Sequence, residues 1–253
     1  MRHQGRTVAG VEIAVLCDAV GPMGPLLRRP LTEMFPGSAA ADFAEDPWVL
    51  HFHCYLLRDP QGRTILVDAG IGGTGSPASS WAPVPGRLPD ELAAAGVRPE
   101  DVDVVVLTHL HSDHVSGATA DGRPVFPNAR HLVQRAEVAA VEKEGGPVRT
   151  EVLDPLRDLL HVVDGDAEVV PGVRVVATPG HTPGHQIVRV GELAMTGDLL
   201  HHPVQLADPG VGYVYDDDEP AATAVRKAIL DALRVEGGVI ATAHFPDPFT
   251  PLT

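Results

Sequence analysis

The chain has 253 residues, 44% of them hydrophobic, with 26 glycines and 24 prolines spread along it. That length admits a sizeable core, and the glycine and proline content points to many turns rather than disorder. The formal charge of −15 repels a phosphate backbone, so nucleic acid is excluded as an expected partner.

No apolar run reaches transmembrane length, so no membrane partner is expected. Residues 1–10 are polar and lack the apolar stretch of a signal peptide, so a cytoplasmic protein is the default expectation. Cys17 and Cys54 are too few for a disulfide framework and read as buried free thiols on two strands.

In chain order, Val11–Cys17 reads as a strand and Gly21–Pro47 as a long loop with short helical pieces. Trp48–Arg58 and Arg63–Asp68 form a hairpin around Asp59–Gly62. Ala69–Pro89 is a loop, and Asp90–Gly96 is a short helix closed by Gly96. Val102–Leu107 is a continuous apolar run, as expected of a strand covered on both faces. Ala129–Val133 is a strand and Arg135–Glu144 a helix ended by two glycines. Glu168–Pro179 is a hairpin running into a loop, and Gln186–Val190 pairs with Glu192–Thr196 around Gly191. Pro220–Val235 is the clearest helix: proline suits its first turn, and Val225, Ile229 and Leu233 recur on one face. Val239–Thr242 is a last strand. With no repeat and no linker, a single domain over residues 1–253 is expected.

The chemistry is concentrated in Thr108-His109-Leu110-His111-Ser112-Asp113-His114. Three imidazoles and a carboxylate in six residues suit zinc and other borderline divalent ions, and exceed what one open zinc takes from a single loop. Three further ligand-type residues follow predicted strands: His181 in Thr178–His185 (TPGHTPGH), Asp198 after Thr196-Gly197, and His244 in Ala243-His244-Phe245-Pro246.

The order HxHxDH, His, Asp, His, running from Asp68 to His244, resembles the metallo-β-lactamase superfamily. The resemblance implies an α/β fold: a four-layer αβ/βα sandwich of two mixed β-sheets with outer helices. It also implies two zinc ions per chain, with iron, manganese or cobalt as alternatives. His109, His111 and His181 would hold one ion, Asp113, His114 and His244 the other, and Asp198 would bridge them. Metals roughly 3.5–4 Å apart need such a bridge, and the hydroxide between them is the implied nucleophile. Asp113 has two roles open, ligand and proton acceptor at the leaving group. Asp68 matches an aspartate that orients a ligand imidazole, and Thr108 adjoins the cluster.

Within that family the resemblance favours hydrolysis. Diiron redox relatives place a glutamate where this chain has His111. Antibiotic-degrading β-lactamases lack a bridging carboxylate at Asp198. The TPGHTPGH segment and Ala-His-Phe-Pro look like the N-acyl homoserine lactonases and the methyl-parathion-hydrolase-like group, and Gly197–His201 (GDLLH) resembles the latter. The best-known lactonases carry a tyrosine where this chain has His201. The reading is a dizinc hydrolase of a lactone or related ester. Its alternatives are a glyoxalase-II-like thioesterase, a phosphotriesterase or arylesterase, and an iron-dependent sulfur dioxygenase. The expected partner is a small-molecule substrate, with a homodimer left open. Pocket residues to test are His53, His201, Tyr213 and Tyr215, with His51 beside His53 on one strand face. His185 is expected to make a loop-stabilising hydrogen bond, and His3, His131 and His161 to lie on the surface. Asp216–Glu219 is read as a solvated helix start. Gly70–Gly75 has the wrong spacing for a dinucleotide site.

Overall fold

The strands with the longest apolar runs sit at the centre of two sheets in a computed structural model that describes residues 3–39 and 47–252. Residues 40–46 of the expected long loop lie outside the described residues. Among the described residues the strands are β1 (Gly5–Val8), β2 (Val11–Pro22), β3 (Val49–Arg58), β4 (Thr64–Val67), β5 (Val104–Val106), β6 (Thr119–Ala120), β7 (Arg123–Pro124), β8 (Arg130–Gln134), β9 (Leu160–Val163), β10 (Ala167–Val170), β11 (Val173–Ala177), β12 (Gln186–Val190), β13 (Leu193–Met195), β14 (Val239–Ala241) and β15 (Phe249–Pro251). The first sheet runs β1-β2-β3-β4-β5-β8-β9 and the second β10-β11-β12-β13-β14-β15, with β6 and β7 a small separate ribbon. Both large sheets are mixed. β4, β5, β8 and β9 are mutually parallel, as are β13 and β14, and the remaining neighbours are antiparallel.

Alternation along the strands builds the layers. Val15, Leu57, Ile65 and Val106 face Val175, Val188, Val190 and Met195 between the sheets. Their neighbours Leu16, Leu56, Leu66 and Val105 point the other way and bury Leu92, Val141 and Leu156. On the far side, Ile187, Ala194 and Ile240 receive Leu230 and Leu233 of the helix Glu219–Val235. This is the expected four-layer sandwich of the metallo-β-lactamase fold.

Several boundaries move. β2 runs on to Pro22, because a bulge between Cys17 and Ala19 lets it stay paired with β3. β1, β9 and β15 were not anticipated, nor was the run of short helical turns over residues 148–159. His131 is a correction: it is fully buried beside Phe126, not on the surface. His161 is exposed, while the His3 ring is partly buried 2.9 Å from Glu91. Cys54 is buried but Cys17 is partly exposed, and both are free thiols. Among the described residues no helix is long and apolar enough to cross a membrane.

Candidate metal centre

Five loops, each leaving the end of a strand, carry the candidate groups. β4 leads to Asp68, β5 to Thr108 and the histidine cluster, β11 to His181, β13 to Asp198 and β14 to His244. Backbone hydrogen bonds tie these loops together: Ala69 to His114, His53 to Ala243 and Gln186 to Thr108. Gly197 makes the approach possible. Its φ is +46°, and a Cβ there would stand 2.9 Å from both the His185 ring and Thr108.

The result is two sets of donor atoms, each within 4.8 Å of one another: His109, His111, His181 and Asp198, and Asp113, His114, Asp198 and His244. Asp198 belongs to both. Its Oδ2 lies 3.2 Å from His181 Nε2 and 3.6 Å from His109 Nε2. Its Oδ1 lies 3.1 Å from both His114 Nε2 and His244 Nε2. Asp113 Oδ2 is 3.2 Å from His114 Nε2 and 3.5 Å from His244 Nε2. His111 Nδ1 faces His181 Nε2 at 3.0 Å.

In four of the inward-pointing rings, those of His109, His114, His181 and His244, the other nitrogen is held. His114 Nδ1 donates to Asp68 Oδ2 at 2.8 Å. His109 Nδ1 lies 3.1 Å from Thr108 Oγ1, which itself donates to Asp68 Oδ2 at 2.9 Å. Asp68 therefore steadies two rings, and its Oδ1 also accepts from Thr108 N. It does so with φ of +60°, a left-handed conformation tolerated by aspartate. His244 Nδ1 donates to the His51 carbonyl at 2.8 Å. His185 makes the bond expected of it, its Nε2 accepting from Asp198 N at 3.0 Å.

The fourth orienting contact comes from an unexpected residue. His181 Nδ1 donates to Asp216 Oδ1 at 2.9 Å. Asp216 has a fully buried side chain, backed by Arg226 at 3.9 Å. The solvated reading of Asp216–Glu219 is thus corrected for Asp216, whereas Asp218 does cap the helix by accepting from Ala221 N. Glu137 was also missed. Its buried carboxylate accepts from Leu110 N, Thr182 Oγ1 and Gly184 N, joining the two histidine loops. Neither acid has a motif, so no local signal marked them.

Burial and charge compete here. Burial and the neighbouring His181 push the His111 imidazole down to about 3, with Asp113 and Asp198 opposing. Burial pushes His181 down as well, but Asp198 and Asp216 raise it to about 9. Burial would lift the Asp198 carboxyl, yet His114, His244, His201 and His109 hold it well below the usual range.

A cavity of about 440 Å³ opens over these groups. His111, Asp113, Asp198 and His244 contribute polar atoms, and Met23, Leu27, Leu50 and Trp81 an apolar wall. His201, Tyr213 and Tyr215 line it. His201 Nε2 lies 3.1 Å from Asp198 Oδ2, and its ring is 3.8 Å from that of Tyr213. Tyr215 donates its hydroxyl to the Leu27 carbonyl at 2.6 Å. His53 is a correction: it does not line the cavity but lies buried, its Nδ1 donating to the Thr242 carbonyl at 3.1 Å.

Residues 49–244 match the model of the metallo-β-lactamase superfamily. An N-acyl homoserine lactonase of Bacillus cereus is 30% identical, over 69% of this chain and 73% of the relative. The N-acyl homoserine lactonase AttM of Azorhizobium caulinodans is 33% identical, over 76% of this chain and 81% of the relative. Among solved structures, the dizinc quorum-quenching lactonase AidC superposes with a TM-score of 0.80 at 22% identity, covering 98% of this chain and 92% of that one. The chain belongs to the metallo-β-lactamase superfamily and is a metal-dependent hydrolase close to its lactonase group.

Proposed function

We propose that the chain is a dizinc hydrolase that opens a lactone ring. The observation that carries this is the division of one buried carboxylate, Asp198, between two donor sets. His109, His111 and His181 would hold one ion, Asp113, His114 and His244 the second, with Asp198 shared. The donor chemistry fits: His109 Nε2, His114 Nε2 and Asp198 Oδ1 are buried without a hydrogen-bond partner. Such atoms are costly unless something satisfies them, and mixed imidazole and carboxylate donors suit zinc.

Two divalent ions there supply Lewis acidity toward a carbonyl oxygen and lower the pKa of water to about 7. The protein's own residues do the rest. Asp198, kept ionised by the surrounding imidazoles, neutralises both sets. Asp113 reaches the cavity beside His244, placed to exchange a proton with the leaving oxygen. Asp68, Thr108, Asp216 and the His51 carbonyl keep the ring lone pairs aimed inward. The wall of Met23, Leu27, Leu50 and Trp81 receives an apolar substituent, and among the described residues the cavity lining carries no lysine or arginine. That lining suits a neutral acylated lactone better than an anionic glutathione thioester.

The test is a metal assay together with turnover of N-acyl homoserine lactones, aryl esters, thioesters and phosphotriesters. We expect one zinc ion at each of these two donor sets and preference for the lactones. Asp198→Ala should lose metal and lower kcat/KM by at least about 100-fold. Full turnover by that variant, or a preference for another substrate class, would overturn the proposal.

A further inference from the structure

A third group of metal-type donors lies apart from the cavity. Cys17, His51 and His53 bring a thiol and two imidazoles within 4.8 Å of one another, the same limit that the two main sets meet. The unbroken register from Glu12↔Arg58 to Cys17↔His53 brings Cys17 beside His53, just before the bulge in β2. Cys17 pairs with His53 and Ala19 with Phe52, so Asp18 is the extra residue. The Asp18 side chain turns away and accepts from Ile71 N and Leu88 N. Cys17 stays on the face that His51 and His53 share, two residues apart on β3, with their rings 5.3 Å apart.

His53 is prepared as metal-binding histidines are. Its Nδ1 donates to the Thr242 carbonyl, which fixes the tautomer and leaves Nε2 with its lone pair. His244 in the main centre is held the same way, by the carbonyl of His51. Cys17 and His51 are partly exposed, so an ion has a path from solvent. Burial, with Glu91 and Asp18, disfavours a bare thiolate at Cys17 against the pull of Arg87, a penalty that a bound cation removes.

We propose that Cys17, His51 and His53 form a third metal site for a thiophilic divalent ion, zinc foremost. One thiolate and two neutral imidazoles satisfy three positions of a tetrahedral ion, leaving the fourth to water. On binding, the Cys17 thiol proton passes to solvent. The site is structural in its consequence. His53 N donates to the Ala243 carbonyl at 2.9 Å and His51 N to that of His244 at 3.3 Å, so an ion here braces the strand that holds the His244 loop.

Cobalt(II) added to the chelator-stripped full chain tests this. The main centre offers only nitrogen and oxygen, and Cys54 is enclosed in the core on the opposite face of the sheet. A thiolate-to-cobalt charge-transfer band in the near ultraviolet therefore reports Cys17 alone. We expect that band to grow with one equivalent of cobalt, to vanish in Cys17→Ser and to persist in Cys54→Ala. The Cys17→Ser protein should keep the cobalt absorption of the nitrogen and oxygen sites. No charge-transfer band at cobalt saturation, or a band that survives Cys17→Ser, would overturn the third site. A band that appears without two further equivalents would keep the third site and defeat the dizinc proposal instead.

Discussion

Asp216 defines what a single residue contributes to this centre. Its carboxylate holds His181 Nδ1 at 2.9 Å, and the Arg226 guanidinium lies 3.9 Å from its other oxygen while binding the carbonyls of Pro209, Leu199 and Val211. A carboxylate partner fixes the ring and raises its basicity as a donor. Asp216→Asn keeps the shape and removes the charge. Metal affinity of the set containing His181 should fall by about 10–100-fold, read by competition with a chelator. Unchanged affinity would reduce Asp216 to a packing residue. The seven ligand-type residues were legible in the sequence because imidazole and carboxylate crowd into short segments at strand ends. Asp216 was not, because its role exists only once the helix start is folded against a loop 35 residues away. His53 was misjudged for a related reason: its strand position is plain, but the alternation that puts Tyr55 and Leu57 between the sheets also turns it into the protein rather than the cavity.

At the scale of elements, the helix Arg135–Glu144 does more than cover a sheet. Glu137 and Val141 lie one turn apart and are its buried residues. Val141 packs into the core under the first sheet, and Glu137 reaches both histidine loops through three accepted hydrogen bonds. Burial pushes the Glu137 carboxyl up, and those three donors pull against it. The helix was legible, ending where Gly145 and Gly146 follow; the inward direction of an acidic residue on it was not, since such residues usually face water. Glu137→Ala strands three donors, each costing about 1–3 kcal/mol when buried without a partner. The unfolding free energy should drop by about 2–5 kcal/mol in a denaturant titration, with earlier loss of bound metal. A change below about 1 kcal/mol would show that water replaces the carboxylate without penalty.

At the scale of the whole molecule, what was legible follows depth. β5 is three buried valines and β3 a long run of β-formers, so both stood out. β1, β9 and β15 are short strands at sheet edges with most of their residues outside the core, so little marks them. The same depth explains His131, which sits on β8 between β5 and β9 in the first sheet and was expected on the surface. Burial lowers its imidazole to about 4, against about 6.5 in an unfolded chain. Between those values the unfolded state binds the extra proton, so stability rises with pH. Acidification from pH 6.5 to 4 therefore removes up to about 3 kcal/mol through this residue, and nothing further below pH 4. His131→Leu keeps an apolar group of similar bulk at the site and abolishes the titration. Plotted against pH, its unfolding free energy should be flatter than the parent's by up to one proton between pH 4 and 6.5. Contributions from the histidines of the two donor sets are common to both proteins and cancel in the difference. Parallel curves would mean that His131 is protonated in the fold or solvated, and the burial argument would fall with them.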